Sequence, residues 1–385
     1  MKVLIITYLN SLSPGTFLQA YGVQKGLKQK FPGSVIYYLN AKDITRTLKS
    51  KKTHVSKLNF IKQKLYGGIR YLQLYYLQKK YYKIIGEKID LFNYNEADVI
   101  RLINEFDLLV IGSDTILEKI YGSNGSQIGI MWPDERVGIK KIYFAASAAP
   151  GNFVLNNKIK SVLKERIEKF AFIGLRDDIT LLVFQNILGK SSVPLVKQPD
   201  PTYFINLSEF TLPFYYRHIF SKQRKYCLFT FNSQFQYRNE LSKLLKDYGY
   251  TLVSAQYIPE ADISLATLNP LQWGSIFKYC DLIVTERFHD TLFALRNCKP
   301  VITIDWDEER ISVSGESKTK SILTDYDLDN HHVIIRSKKD LQTVHRLIEK
   351  IALFDPGKIN EINKQKIDLS YEILRQIENS IVQQK

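Results

Sequence analysis

Short apolar runs alternate along the chain with stretches whose apolar residues recur every three or four positions. KVLIITY (2–8) predicts a strand, and a helix over 15–31 carries Phe17, Leu18, Tyr21 and Leu27 on one stripe. SVIYYLN (34–40) predicts the next strand. After an interruption follow a helix at 95–106 and strands at 107–113 and 141–147. A helix at 156–170, strand 172–176, helix 177–188 and strand 193–198 complete the first half. Strands of this kind between amphipathic helices belong to a parallel, doubly wound sheet.

Periodicity lapses over 199–224, where Pro199, Pro201 and Pro213 fall. Alternation restarts with KYCLFTFN (225–232) and continues as helix 237–248, strand 251–257, helix 270–279, strand 281–286, helix 290–298 and strand 301–306. HHVIIRS (331–337) is a last strand before helices at about 339–354 and 358–383. The expected organisation is an N-terminal Rossmann-like domain (1–200), a linker (201–224) and a C-terminal Rossmann-like domain (225–354). A final helix (355–385) is expected to pack back toward the first domain.

Charge changes this picture at one place. The 385 residues hold 54 Lys and Arg against 39 Asp and Glu, a net +15. Such an excess anticipates anionic company: a phosphorylated or acidic substrate, a membrane surface or nucleic acid. Residues 41–90 carry 13 basic residues against three acids, with Tyr66, Tyr71, Tyr75, Tyr76, Tyr81 and Tyr82 interleaved. Leu58, Ile61, Leu65, Ile69, Leu72 and Tyr76 recur at helical spacing, interrupted by Gly67-Gly68, which predicts a basic helical hairpin inserted into the first domain.

Three cysteines without CxxC spacing signal neither a zinc site nor disulfides, and fit a reducing cytoplasm. Val3–Leu9 is too short for a signal peptide, and nothing approaches the roughly 18 apolar residues of a membrane span. A Walker A loop and a GxGxxG after the first strand are both missing, which disfavours ATP- and NAD-dependent readings. No HExxH or carboxylate cluster argues for a metal. No nucleic-acid-binding motif accompanies the charge.

Ligands of open α/β sheets bind beyond the carboxyl ends of the strands. The polar residues there are Gly112-Ser113-Asp114, Ser147, Arg176-Asp177-Asp178, Asp200-Pro201-Thr202 and Glu286-Arg287-Phe288-His289-Asp290. Each group alone suits a helix cap. Together they place two guanidiniums, an imidazole and carboxylates around one cleft, and Arg is the side chain suited to gripping phosphate and carboxylate. Among six histidines, only His289 directly follows a buried strand at a helix N-terminus.

This ordered set resembles the polysaccharide pyruvyl transferase family over about residues 8–325. Asn10 with Leu18-Gln19-Ala20, DLLVIGSD (107–114), Ala145-Ala146-Ser147, Leu175-Arg176-Asp177, Asp200-Pro201-Thr202 and Arg287-Phe288-His289 with Phe293-Ala294-Leu295 and Pro300 are similar to its segments. Asp290 stands where that family usually has Gly. Thr115 replaces a frequent aromatic, and Ala148-Ala149-Pro150 replaces Phe-Gly after the serine.

The resemblance implies a GT-B-like pair of facing Rossmann-like domains and transfer of pyruvate from phosphoenolpyruvate to a sugar, as a ketal. The sugar would belong to a surface polysaccharide or its lipid-linked precursor. On this reading Arg176, Arg287, Phe288 and His289 bind phosphoenolpyruvate, and His289 and Asp114 are catalytic. Asn10, Gln19, Ser113, Ser147 and Asp200 support the acceptor side. Neither a metal nor a further cofactor is implied. The basic insert then admits two readings, peripheral association with an anionic inner membrane face or packing on the first domain. The alternatives are a GT-B glycosyltransferase using a nucleotide sugar and a non-catalytic binder of anionic lipid or glycan.

Overall fold

The computed structural model describes residues 1–9, 11–42, 57–91, 93–121, 128–153 and 155–382. In the first half the elements are β1 (Lys2–Ile6), α1 (Pro14–Lys30), β2 (Val35–Lys42), α2 (Lys57–Tyr81), β3 (Ile84–Asp90), α3 (Glu96–Ile103) and β4 (Leu108–Ile111). They continue with β5 (Lys140–Ala146), α4 (Asn157–Ile167), β6 (Phe172–Leu175), α5 (Asp178–Leu188) and β7 (Leu195–Lys197). The seven strands lie in the order β3-β2-β1-β4-β5-β6-β7, all parallel. Helices cover both faces, so the central strands are apolar throughout; Val3–Ile6 and Leu108–Ile111 are wholly buried.

The second half opens with the short α6 (Phe214–Arg217). It continues with β8 (Lys225–Thr230), α7 (Arg238–Asp247), β9 (Tyr250–Ser254), β10 (Ile263–Ser264), α8 (Pro270–Trp273), β11 (Leu282–Thr285) and α9 (Phe288–Arg296). β12 (Val301–Asp305), α10 (Lys318–Thr324), β13 (His332–Ile334), α11 (Leu341–Glu349) and α12 (Pro356–Val382) complete it. Its parallel sheet runs β10-β9-β8-β11-β12-β13. Both sheets reverse direction of growth beside their first strand, between β1 and β4 and between β8 and β11. Such switch points leave a crevice beyond the strand ends. The architecture is the pair of doubly wound domains that the alternation predicts.

One apolar cluster runs through both domains and holds them together. α1 lies within it, and Pro14–Ala20 are all buried. A Cβ on Gly22 would stand 2.2 Å from the Pro201 carbonyl oxygen, so this glycine lets the Asp200-Pro201-Thr202 turn approach the helix backbone. α12 closes the seam. Tyr371 meets Phe204 edge-on at 5.7 Å between ring centres, Lys30 pairs with Glu378, and Asn363 donates to the Leu295 carbonyl (2.9 Å).

Several regions differ from the sequence expectations: the expected linker holds α6, and β10 and α10 form where no element was expected. Helix 270–279 divides into α8 and a 3-10 turn (Ile276–Tyr279), because Gly274 packs against the Phe210 ring, 2.4 Å from where a Cβ would stand. Over 41–90 the described residues form no hairpin. α2 runs unbroken through Gly67-Gly68, and β3 adds an edge strand to the first sheet. Both glycines have open space around them, and their helical cost of about 1 kcal/mol each is offset by packing on either side. Tyr66 stacks on Tyr257 (5.6 Å), and Leu74 and Leu77 are buried. Residues 43–56, with His54, lie outside the described residues.

Candidate active site

The two switch points face each other across a cavity of about 370 Å³. The first domain contributes Tyr8 after β1, Asp114 after β4, and Gly15 and Thr16 from the start of α1. The second contributes Asn232 after β8, Glu286 and Arg287 after β11, and His289 from the first turn of α9. Two helix N-termini therefore open on the same space, where free N–H groups and the helix dipole favour an anion.

His289 sits where the domains touch. Its ring lies against Gly15 so closely that a Cβ there would fall 2.1 Å from Nδ1. Nε2 stands 4.0 Å from Asp200 Oδ2, and no hydrogen-bond partner reaches it among the described residues. Burial pushes the imidazole down to about 4. Asp200 and Asp114 oppose that shift, while Arg176 and Lys318 add to it.

Asp114 has φ of +81°, in the left-handed region that costs a non-glycine residue energy and tends to mark functional sites. The conformation is held from three sides. The Asp114 carbonyl accepts from the Ser147 N–H (3.0 Å), Thr16 Oγ1 donates to Oδ2 (3.2 Å), and the Thr115 N–H donates to Oδ1 (2.8 Å). Burial works to raise the carboxyl, but Arg176, Lys318 and His289 outweigh it and hold it below the usual range.

Arg176 follows β6 and is buried, with its guanidinium 4.4 Å over the Phe288 ring and 3.5 Å from Asp200 Oδ2. Nε and Nη1 have no hydrogen-bond partner among the described residues. Asp200 is itself held by Gln19 Nε2 (2.7 Å) and the Thr202 N–H (2.9 Å).

Of the residues singled out from sequence, the fold gathers Asp114, Arg176, Asp200, Phe288 and His289, with Gln19 behind Asp200. Ser147 braces the Asp114 backbone, and the Ser113 carbonyl accepts from Thr7 Oγ1 (2.9 Å). Asp177 caps α5 through the Thr180 N–H (2.8 Å). Asp290, in the place of that family's usual Gly, is buried and accepts from Thr285 Oγ1 (3.1 Å), tying α9 to β11. The two arginines do not share a wall. Arg287 lines the large cavity, whereas Arg176 lines a smaller one of about 80 Å³; Phe288 borders both. Asn10 lies outside the described residues.

Sequence reading missed Lys318. It opens α10, in a stretch without strand–helix alternation, and faces the same cavity. Ser317 and Thr319 on either side both donate to Asp305 at the end of β12, at 2.9 Å for Thr319, and this pins the helix start. Burial pushes the Lys318 ammonium down to about 8, with Asp114 opposing and Arg176 and Arg310 adding. The available signal was Ser317 as an N-cap ahead of Ile322-Leu323.

The family profile described as polysaccharide pyruvyl transferase matches residues 15–308. No curated protein sequence matches the chain. Among solved structures it resembles HepE of Anabaena in complex with UDP and glucose, at 9% identity over 100% of both chains and a TM-score of 0.54. It also resembles UDP-GlcNAc 2-epimerase of Neisseria meningitidis bound to UDP-GlcNAc, at 10% identity over 100% of both chains and a TM-score of 0.56. At these identities the likeness concerns the fold, which is GT-B-like.

Proposed function

The chain belongs to the polysaccharide pyruvyl transferase family, and from that premise we propose that it moves the pyruvyl group of phosphoenolpyruvate onto a sugar as a ketal. One observation carries this reading. Three buried nitrogens, Arg176 Nε and Nη1 and His289 Nε2, make no hydrogen bond among the described residues, and the charges of Lys318 and Asp114 act on the same groups. Leaving such groups unsatisfied costs about 1–3 kcal/mol each, a cost that an anion accepting from them removes.

Phosphoenolpyruvate brings a phosphate and a carboxylate; Arg287, Lys318 and two helix N-termini supply donors in the large cavity, and Arg176 supplies them in the smaller one beside it. His289 is neutral near pH 7 in the free protein. A phosphate dianion beside it favours the imidazolium and makes it a proton donor. The enol CH₂ takes up a proton and becomes a methyl group, leaving an oxocarbenium-like carbon at C2. One sugar hydroxyl adds there and a second displaces phosphate. Of the two hydroxyl protons, one balances the methyl proton and the other leaves with phosphate. Asp114 stands where it can orient and deprotonate a hydroxyl.

The outer face of α2 extends the proposal to location. Ile61, Leu65, Leu72 and Tyr76 are each more than 60% exposed on one face, while Leu74 and Leu77 pack inward. Lys62, Lys64, Lys79, Lys80 and Lys83 accompany them. An apolar stripe with tyrosines and lysines suits the headgroup level of an anionic leaflet. No described helix is long and apolar enough to cross a membrane.

Thermal unfolding with phosphoenolpyruvate tests the catalytic reading. A rise in Tm is expected in the wild type and its loss in His289→Ala, with phosphate release only when a glycan acceptor is added. A protein indifferent to phosphoenolpyruvate that consumes a nucleotide sugar would be a glycosyltransferase instead.

A further inference from the structure

A second cavity, of about 230 Å³, adjoins the first and shares Asn232 and Arg287 with it. Both domains build its walls. Arg70 and Tyr66 come from α2, and Arg238, Arg287 and Tyr257 come from the second domain. Arg238 pairs with Glu260 at 2.8 Å, yet its buried Nε has no hydrogen-bond partner among the described residues. Neither Arg70 nor Arg287 has a carboxylate within ion-pair distance among the described residues. Three guanidiniums line this hollow; Glu260 pairs with one, and the Asp290 carboxyl acts on the other two only at longer range, so positive charge is in excess.

Such like-charge proximity is unfavourable without a counter-anion. Burial pushes the Arg70 guanidinium down to about 10, with Arg287 adding to the shift and Asp290 opposing it. Asp290 is turned toward Thr285 and does not line this cavity. Guanidiniums match phosphate oxygens in geometry as well as charge. Arg70 from the first domain and Arg287 from the second suit an anion with two centres.

We propose that this cavity binds the diphosphate of the acceptor, so that the sugar to be modified is carried on a diphosphate and reaches the inner cavity past Asn232 and Arg287. A diphosphate diester carries two negative charges, opposite in sign to the excess on this hollow. The naming of its sugar as the acceptor rests on the pyruvyl-transfer reading; the diphosphate site itself does not. The stacked Tyr66–Tyr257 pair, with Lys62 at 5.6 Å over Tyr257, forms the rim on which the carrier leaves. Nucleosides and prenyl lipids are both carried on this linkage, and Arg70, Arg238 and Arg287 read only the shared part.

Calorimetric titration of the full chain with inorganic pyrophosphate, with and without saturating phosphoenolpyruvate, tests the site. Binding is expected under both conditions. Arg70→Gln should weaken it by about tenfold or more, Arg70→Lys should restore part of it, and phosphoenolpyruvate affinity should stay within about twofold. UDP and farnesyl diphosphate then identify the source: whichever binds more tightly than pyrophosphate, with the same dependence on Arg70, is the carrier class. Competition between pyrophosphate and phosphoenolpyruvate, no binding, or binding indifferent to Arg70→Gln overturns the proposal. Arg70-dependent binding in a protein that ignores phosphoenolpyruvate would keep this site and remove the pyruvyl-transfer reading. Phosphoenolpyruvate binding without pyrophosphate binding would do the reverse.

Discussion

Around His289 the charges come in opposition, whereas around Arg70 they accumulate. Lys318 and Asp114 line the inner cavity, Arg176 and Asp200 line the smaller one beside it, and hydrogen bonds position both carboxylates. In the outer cavity three arginines meet one glutamate. Depth explains the difference. A fully buried charge must be paired or it destabilises the fold by several kcal/mol. A partly exposed arginine keeps some of its hydration and tolerates an imbalance. On the proposed reading the inner site is prearranged for proton and bond chemistry on a small anion. The outer one is an unspent positive field.

Arg176→Ala should break the inner balance most severely. It leaves Asp200 without its cation and removes the guanidinium from Phe288. Denaturant unfolding should show a loss of about 3 kcal/mol, and phosphoenolpyruvate should no longer shift Tm. Arg287→Ala, at the boundary of the two cavities, should cost less than 1 kcal/mol in the same assay. Equal losses would mean that the two sites do not differ in pairing.

Gly15→Ala comes next. The added methyl must displace His289, and misplacement of a reacting group by about 1 Å can lower turnover about 100-fold. Gly33→Ala, where nothing lies within 4 Å of the new methyl, serves as the control and should leave turnover unchanged.

The pH dependence follows from His289. Its folded pKa of about 4 lies below the ordinary 6.5. Between these values the unfolded chain holds a proton that the folded chain lacks, so stability falls as pH drops through this window. Unfolding at pH 5 against pH 7 should show about 2 kcal/mol less stability from this group, a difference missing in His289→Gln. Phosphate or phosphoenolpyruvate binding at pH 5–6 should take up a proton, measurable as a dependence of binding heat on buffer ionisation enthalpy.

The smallest effect on the fold belongs to α2. Leu72→Glu on its exposed face should change stability by no more than about 0.5 kcal/mol and leave pyrophosphate binding intact. Cosedimentation with vesicles containing anionic lipid should fall about tenfold. Unchanged cosedimentation would remove the membrane role and leave the outer cavity as a site for water-soluble carriers.

The alternation of strands and amphipathic helices was legible because strand and helix periods differ and both sheets are buried on two faces. Asp114, Arg176 and His289 were legible for a related reason. Each follows a short apolar run, and strand ends in parallel sheets point at the crevice. Lys318 was not, since its placement depends on Asp305, 13 positions earlier, gripping Ser317 and Thr319. Arg70 was visible only as one of many basic residues in 41–90. Its meeting with Arg287 spans more than 200 positions and needs α2 to lie against the second domain, through Tyr66–Tyr257 and Gln73 donating to Thr267 (2.7 Å).

Sequence by itself thus determined the element pattern, the doubly wound fold class and which polar residues follow the strand ends, because these follow from local period and residue type. The tertiary structure decided three further things. It set the apolar stripe of α2 outward, and it separated Arg176 from Arg287 on either side of Phe288. It also divided the positive charge into a balanced inner site and an unbalanced outer one. Each of these depends on packing between distant segments, where burial decides which charges must be paired and which can remain open to a ligand.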